Sequence, residues 1–374
     1  MTVGRNSVAV LVTDGLMKKS LSVVRSIAPV ADDIGVTAPY RVSMAGLSRE
    51  TDRQHVVDRT DPEAFVRSLD RIVTGGSYDY VLPVGGWTTA VLSRHRDRVD
   101  APLEAVLPDR EAMATAQDKW RTYQRAVDLG VPVPSTVAPE SAEDLQAAEE
   151  FDFPVIVKAP DESAPRFVER VDSTAALRRV ARRYHSDTGS WPLIQEEVTG
   201  EGCGLFALYL DGECQGHYAH RRIREYPPSG GASACAESIH DERLTDLGLG
   251  LLDDLAWHGP AMVEFKRDAD GEPHLIEINP KFWGSLDLGR YSGLEFPRAL
   301  LTFAASGRKP SFSFAGTRCH WPLSGDLQHA VRRPESAPQV AVDCLSTRTR
   351  SNLSVTDPLP HLFEAGKAIV SPFL

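Results

Sequence analysis

Apolar residues along this chain recur in two rhythms, short unbroken runs and stretches spaced three to four apart. VAVLVTDG (8–15) is an apolar run ending in a Gly turn and predicts a buried strand, followed by a helix over 18–28. YDYVLPVGG (78–86) predicts a second strand closing on Gly85 and Gly86. Strand, Gly-containing loop and helix in repetition predict an open parallel α/β sheet, whose ligands bind at the carboxyl ends of the strands. One helix is predicted over 109–129, from Pro108-Asp109 to Gly130 and Pro132, with Ala116, Trp120, Tyr123 and Val127 at helical spacing. FPVIVKAP (153–160) reads as a strand, 174–184 as an amphipathic helix, and WPLIQEEV and LFALYLDGE as strands. YPPSGGAS, within 221–238, reads as a loop, and beyond about 300 no period emerges. The chain divides accordingly into 1–108, 109–190, 191–305 and a segment 306–374 of unassigned role.

MVEFK (262–266) and HLIEIN (274–279) depart from the apolar pattern by carrying acids inside strands. Asp270-Gly271 between them is a hairpin turn signal. A two-residue turn there brings Glu264 opposite Glu277, with Cβ atoms roughly 4.5–5.5 Å apart. Carboxylates so close repel, and one takes a proton unless a positive group lies between them. Asn279, two residues on, adds an amide oxygen to the same face. Two carboxylates and an amide oxygen form a hard-oxygen set suited to Mg²⁺ or Mn²⁺. A solvated strand edge is the alternative, and a loop of odd length would separate the pair.

Composition narrows the classes. At 374 residues the chain is long enough for two or three domains, and its net charge of −11 speaks against general nucleic-acid binding. No apolar run is long enough to span a bilayer, so no membrane partner is expected. Five scattered cysteines without a CxxC pair suit a reducing cytoplasm. Acid excess with only eight lysines suits a salt-adapted protein, an expectation that undiminished activity in molar KCl would meet. The same scarcity makes a lysine inside a motif informative. Lys119 in TAQDKW and Lys158 at the end of PVIVK are two of the eight, one on a helix and one at a strand end. Gly230 and Gly231 in YPPSGGAS allow backbone amides to approach phosphate oxygens. Arg222 and Arg224, sharing a strand face, are candidates for a transferring phosphate or a substrate carboxylate, with Arg222 preferred. No GxSxG, HxH or HExxH pattern occurs, so hydrolase and zinc chemistry have no anchor.

VEFKRDADGEPHLIEINPKFWGS resembles the closing motif of the ATP-grasp superfamily, in which an acid, a Glu and an Asn hold magnesium on ATP. Lys119, Lys158, the hinge-like IQEEVTGEG (194–202) and HRRIREYPPSGGAS (220–233), similar to the phosphate-covering loop of the carboxylate–amine ligase branch, follow in the family's order. The resemblance covers about residues 8–300. It implies an N-terminal pre-ATP-grasp open parallel sheet followed by the two-lobed ATP-grasp fold, of mixed α/β and α+β class. It implies that backbone at Glu196 and Val198 binds adenine, that Glu201 accepts the ribose hydroxyls, and that Glu264, Glu277 and Asn279 hold Mg²⁺ or Mn²⁺. Lys281 stands where many members have arginine, keeping the charge but losing the bidentate fork, and would grip an acyl phosphate or carboxylate. The implied activity is ATP-dependent joining of a small-molecule carboxylate to an amine through an acyl phosphate. A small-molecule kinase and a non-catalytic ATP-binding regulator keep the same motifs. The oligomeric state is open, a homodimer being one option.

Overall fold

The computed structural model describes residues 7–161, 167–228 and 230–370. Its first sheet is the parallel one expected. Strands β1 (Ala9–Val12), β2 (Asp33–Ala38), β3 (Arg53–Val56) and β4 (Tyr80–Leu82) lie in the order β3-β2-β1-β4. Val10, Leu11 and Val12 are fully buried, which explains why β1 has no polar face. Asp14 follows it in the left-handed region at φ 60° and is buried. Its carboxylate accepts from the Gly85 N–H (2.8 Å), the Thr88 hydroxyl (2.9 Å) and Arg59 (2.7 Å), pinning the β4 loop to the end of β1.

A small antiparallel sheet comes next: β5 (Thr136–Val137), β6 (Val155–Lys158), β7 (Val168–Val171) and β8 (Leu193–Glu196), ordered β5-β8-β6-β7. Its apolar face packs on the helix Thr174–Thr188, capped by Ser173. The large sheet holds β9 (Gly202–Leu210), β10 (Glu213–Tyr226), β11 (Ala232–Ile239), β12 (Gly259–Arg267), β13 (Pro273–Asn279), β14 (Arg318–His320) and β15 (Thr349–Ser351). Their order is β13-β12-β9-β10-β11-β14-β15. All nine residues of β9 are buried. One face of this sheet packs on the helix Glu242–Asp254, while Phe206, Trp283, Phe296 and Trp321 join the other face to the core of the first sheet.

Two expectations are corrected. The single helix over 109–129 is two, Arg110–Gln117 and Lys119–Asp128. Asp118 between them is extended (φ −100°, ψ 110°), accepts from the N–H groups of Trp120 and Arg121, and pairs with Asp161, while the Lys119 N–H donates to the Pro160 carbonyl at 2.8 Å. Lys119 therefore starts a helix beside β6. HRRIREY is not loop either: β10 continues to Tyr226, and YPPSGGAS, whose Ser229 lies outside the described residues, is the tip of the β10–β11 hairpin.

Residues past 306 add two strands to the large sheet and are tied in by charge. Arg224 donates to Asp326 (2.8 and 3.0 Å) and Asp343 (2.7 Å), all three nearly inaccessible. Burial alone would raise the Asp343 pKa, but the Arg224 hydrogen bond and charge hold it below the usual carboxylate range. Arg25 similarly binds Asp357, which also accepts from Ser48 and the Arg49 N–H. Removing one member of a buried pair strands the others. Arg224→Met is expected to lower stability by about 3–5 kcal/mol, read by urea unfolding at pH 7. Because the Asp343 pKa is depressed in the fold, its share is present above the unfolded carboxylate pKa and fades on acidification. An unchanged urea midpoint would remove the clamp.

Candidate functional site

The site is built on one row of the large sheet. Directly paired residues across five strands are Glu277, Glu264, Gly204, His220 and Ser238. Glu264 does face Glu277, by a route the sequence reading did not foresee. The loop between β12 and β13 spans the five residues 268–272, an odd number, with Arg267 opposite Pro273. Asp268 organises it, its carboxylate accepting from the Asp270 and Glu272 N–H groups, each at 2.9 Å. Carried through unchanged, that register would set Glu264 against Ile276 and turn Glu277 to the core face. A bulge at Ile276 shifts the pairing by one, so Leu275 and Ile278 both enter the core while Glu277 and Asn279 share the other face.

No group of three or more His, Cys, Asp or Glu suited to a metal occurs among the described residues. The third oxygen here belongs to an amide. Asn279 donates through Nδ2 to Glu277 (2.9 Å) and more weakly toward Glu264 (3.5 Å), so N–H dipoles stand between the carboxylates where a cation's charge would. Turning that amide over presents Oδ1 and completes an all-oxygen donor set, so the residues fit a hard divalent ion.

Cations hold the outer oxygens. Lys119 Nζ lies 3.5 Å from Glu277, and Arg222 forms an ion pair with Glu264. Burial pushes the Glu277 pKa up, but Lys119, Lys281, the Asn279 hydrogen bond and Lys158 together bring it below the usual range. Gly202 explains how Arg222 reaches across β9: a Cβ there would come within 2.9 Å of Arg222 Nη1 and 2.6 Å of Glu225 Oε1. Arg222 also lies 3.5 Å from Glu225, whose other oxygen accepts from the Gly231 N–H at 3.2 Å. The two arginines assigned to one face part company, since the register slips between them; Arg224 enters the buried Asp326–Asp343 pair.

Beside the acids a crevice of about 260 Å³ opens between the lobes, lined by Lys119, Lys158, Gln195, Val133, Leu275 and Ile276 among others. Lys158 is buried and donates to Gln195 Oε1 at 2.8 Å. Gln195 Nε2 in turn donates to Thr136 Oγ1 (2.8 Å), which donates to the Pro134 carbonyl (2.9 Å). Burial lowers the Lys158 pKa to about 8; Glu277 and Glu264 pull upward and Lys119 pushes down. At the hinge the Glu196 N–H donates to the Ser135 carbonyl (3.0 Å) and the Val198 carbonyl accepts from Lys266 (2.8 Å). These bonds leave the Glu196 carbonyl and the Val198 N–H as backbone groups for a ligand. That donor–acceptor pair matches an adenine edge. Glu201 sits just beyond the hinge, its carbonyl accepting from the Arg267 N–H.

The hairpin tip differs from expectation. Gly230 (φ 123°) donates to the Pro227 carbonyl and Gly231 to Glu225, so both amides are bonded within the protein. Sequence reasoning missed Gln195, Glu225 and Lys266. Gln195 had a signal, as a polar residue within the run PLIQ, and the lysine scarcity that picks out Lys119 and Lys158 applies equally to Lys266.

No family model matches the chain. Pyruvate carboxylase 1 of Caenorhabditis elegans is 26% identical over 200 residues, 49% of this chain and 17% of that protein. D-alanine–D-alanine ligase B of Pseudomonas putida is 26% identical over 217 residues, 52% of this chain and 65% of that protein. The matched segment thus spans less than two thirds of either relative. Among solved structures, the biotin carboxylase–β,γ-ATP complex from Campylobacter jejuni superposes with a TM-score of 0.67 at 14% identity, covering 83% of this chain and 75% of that one. L-amino acid ligase from Bacillus licheniformis gives 0.64 at 16% identity, covering 80% and 75%.

Proposed function

We propose that this chain, which has the ATP-grasp fold, is an ATP-dependent ligase that joins a small-molecule carboxylate to an amine. The observation that carries the reading is the convergence of Glu264, Glu277 and Asn279 with Lys119, Lys158 and Arg222 beside a hinge that can pair with adenine. A donor set with this mix of fixed acids and cations suits a polyphosphate bearing hard metal ions. A bound Mg²⁺ or Mn²⁺ would neutralise phosphate charge and polarise the transferred phosphoryl group.

The chain's own residues set the rest. Glu196 and Val198 orient the base, Glu201 takes the ribose hydroxyls, and Lys119 and Lys158 meet the phosphates from the two lobes. A substrate carboxylate oxygen attacks the γ-phosphorus, the P–O bond to ADP breaks, and an acyl phosphate forms. The amine then attacks the acyl carbon, phosphate leaves, and a proton is lost from nitrogen to give the amide. Arg222 and Lys281 supply positive charge near the transferred group. The β10–β11 tip excludes water that would otherwise hydrolyse the acyl phosphate. No protein nucleophile is needed. Among the described residues no helix is long and apolar enough to cross a membrane, and the proposed partners are small molecules.

Glu225 now acquires a role. Its carboxylate occupies the Gly231 N–H and shares Arg222, two groups a phosphate would use. Glu225→Gln should tighten MgATP binding by about three- to tenfold in calorimetry, since a neutral amide competes less well for both. Unchanged or weaker binding would set that role aside.

The function is tested by ADP release across carboxylate and amine pairs, with the phosphate followed. Free phosphate and amide appearing only when both substrates are present supports the ligase. Phosphate retained on the acceptor would make the protein a kinase, and MgATP binding without turnover on any pair would make it a nucleotide-binding regulator.

A further inference from the structure

Three loops at the carboxyl end of the first sheet converge on one arginine. Asp14 follows β1, Arg59 follows β3, and Trp87 lies in the first turn of the helix Gly86–Arg94 after β4. Strand order reverses beside β1, which has β2 on one side and β4 on the other. The crevice outside the strand ends at such a reversal is where open α/β sheets bind ligands. Arg59 reaches across it: Nη1 donates to Asp14 Oδ1 at 2.7 Å, and the guanidinium lies 4.6 Å from the centre of the Trp87 ring. Buried Phe65 braces Trp87 edge-on, with ring centres 5.1 Å apart. Asp14 does not depend on Arg59, because the Thr13 hydroxyl (2.6 Å), the Gly85 N–H (2.8 Å) and the Thr88 hydroxyl (2.9 Å) also donate to it. The dependence runs the other way: a fixed anion and an aromatic face hold the guanidinium plane in place. Asp14 is the only hydrogen-bond partner of Arg59 among the described residues, and 28% of the arginine side chain is exposed, which leaves its other N–H groups to a ligand. The Asp14 backbone is left-handed (φ 60°), a conformation uncommon outside glycine and concentrated at functional sites.

This place adjoins the proposed chemistry. Leu82, Pro83 and Thr89, from β4 and the helix that follows it, line a narrow seam with Lys281 and Phe282. Lys19 Nζ, from the helix after β1, donates to the Phe282 carbonyl at 2.8 Å. We propose that Arg59 is a receptor for a substrate carboxylate that is not phosphorylated, either the α-carboxylate of an amino acid serving as the amine or the second carboxylate of a dicarboxylic acid. A buttressed guanidinium presents its free edge as a planar fork, which matches the two oxygens of a carboxylate. The reacting carboxylate belongs beside Lys281 and the acid cluster, so the one at Arg59 keeps both its oxygens through the reaction. This inference rests on the ligase reading and adds to it a group that one substrate must carry.

Paired substrates that differ by that carboxylate locate it. In the amine arm, phenylalanine is compared with phenethylamine and leucine with isoamylamine, by ADP release with each acid of the screen. In the acid arm, succinate is compared with butyrate, with hydroxylamine trapping the acyl phosphate as the hydroxamate. The wild-type protein is expected to favour the carboxylate-bearing member about tenfold or more in KM in at least one arm, and the arm identifies the source. Arg59→Met should bring the two members of that pair within about twofold, with calorimetric MgATP affinity unchanged. Arg59→Lys should keep part of the preference, because charge remains while the fork is lost. Trp87→Leu, which removes the stacking but not the charge, should reduce the preference several-fold and carries the test if Arg59→Met does not fold. A carboxylate preference untouched by Arg59→Met and Trp87→Leu, or turnover with no preference in either arm, would overturn the assignment and leave the ligase standing. MgATP binding without amide or hydroxamate from any pair would instead overturn the ligase reading, and this inference with it.

Discussion

Replacing Glu277 by glutamine is expected to cut ADP formation by roughly 10²–10³-fold, and to raise the Mg²⁺ concentration needed for half-maximal nucleotide binding more than tenfold. Glu277 is the point on which three lysines act, and the Asn279 amide donates to it at 2.9 Å. A glutamine keeps the shape and the hydrogen bond while removing the charge. The excess of positive charge in the cluster then grows: Lys119, Lys158 and Lys281 are left with one carboxylate, Glu264, already paired with Arg222. A divalent ion entering that site meets excess positive charge. Titrating Mg²⁺ against a fluorescent ATP analogue, alongside steady-state ADP release, reads both effects. Activity within a few-fold of wild type would remove Glu277 from the metal-binding role.

Lys158→Met should weaken MgATP binding by about 10–100-fold, the range of a lost charge-assisted hydrogen bond. The pH dependence carries the sign. With its pKa lowered to about 8, Lys158 is protonated below that value and neutral above it. Wild-type affinity for MgATP is therefore expected to decline as pH rises through 8 toward 9.5, and bound phosphate will move the midpoint upward by favouring the ammonium form. Lys158→Arg, whose charge does not titrate, should flatten this decline, and Lys158→Met should abolish it at lower affinity. Gln195, which fixes the ammonium at 2.8 Å, supplies a second handle: Gln195→Leu strands it and should shift the wild-type midpoint downward. Equal slopes in wild type and Lys158→Met would place the titrating group elsewhere.

The parallel first sheet and the acid hairpin were legible because their signals are local: buried strands are continuously apolar, and a Gly turn fixes where they end. The opposed pair Glu264–Glu277 was legible for a less secure reason. The turn assumed was even and bulge-free, whereas the loop is odd and the bulge at Ile276 restores the pairing. Other features are made at a distance. The break at Asp118 sits inside unbroken helical spacing, and Asp161 and Pro160, more than forty residues away, hold it open. Arg224 looked like a twin of Arg222 until Asp326 and Asp343, about a hundred residues downstream, claimed it. Past residue 306 many apolar residues do not report burial: Val331, Leu345 and Val355 are 71%, 87% and 96% exposed, so periodicity had little to follow. At the site, motif and charge pointed to the groups aimed at a ligand, while Gln195, Lys266 and Glu225 act on those groups and stayed hidden.

The odd loop and the bulge at Ile276 act on different stretches of the hairpin: the loop joins Arg267 to Pro273, and the bulge lies between the Phe265–Leu275 and Glu264–Glu277 pairs. Deleting Ile276 alone would place Glu277 directly after Leu275 and still opposite Glu264. Deleting Ile278 alone would instead turn Asn279 off the face that the two acids share. Twelve residues lie between Glu264 and Glu277 along the chain, and Ile276 is the one whose loss leaves the acids opposed. For anyone aligning or shortening this hairpin, a single gap is tolerated at the bulge and not one residue past the second acid, a distinction that sequence spacing by itself does not reveal.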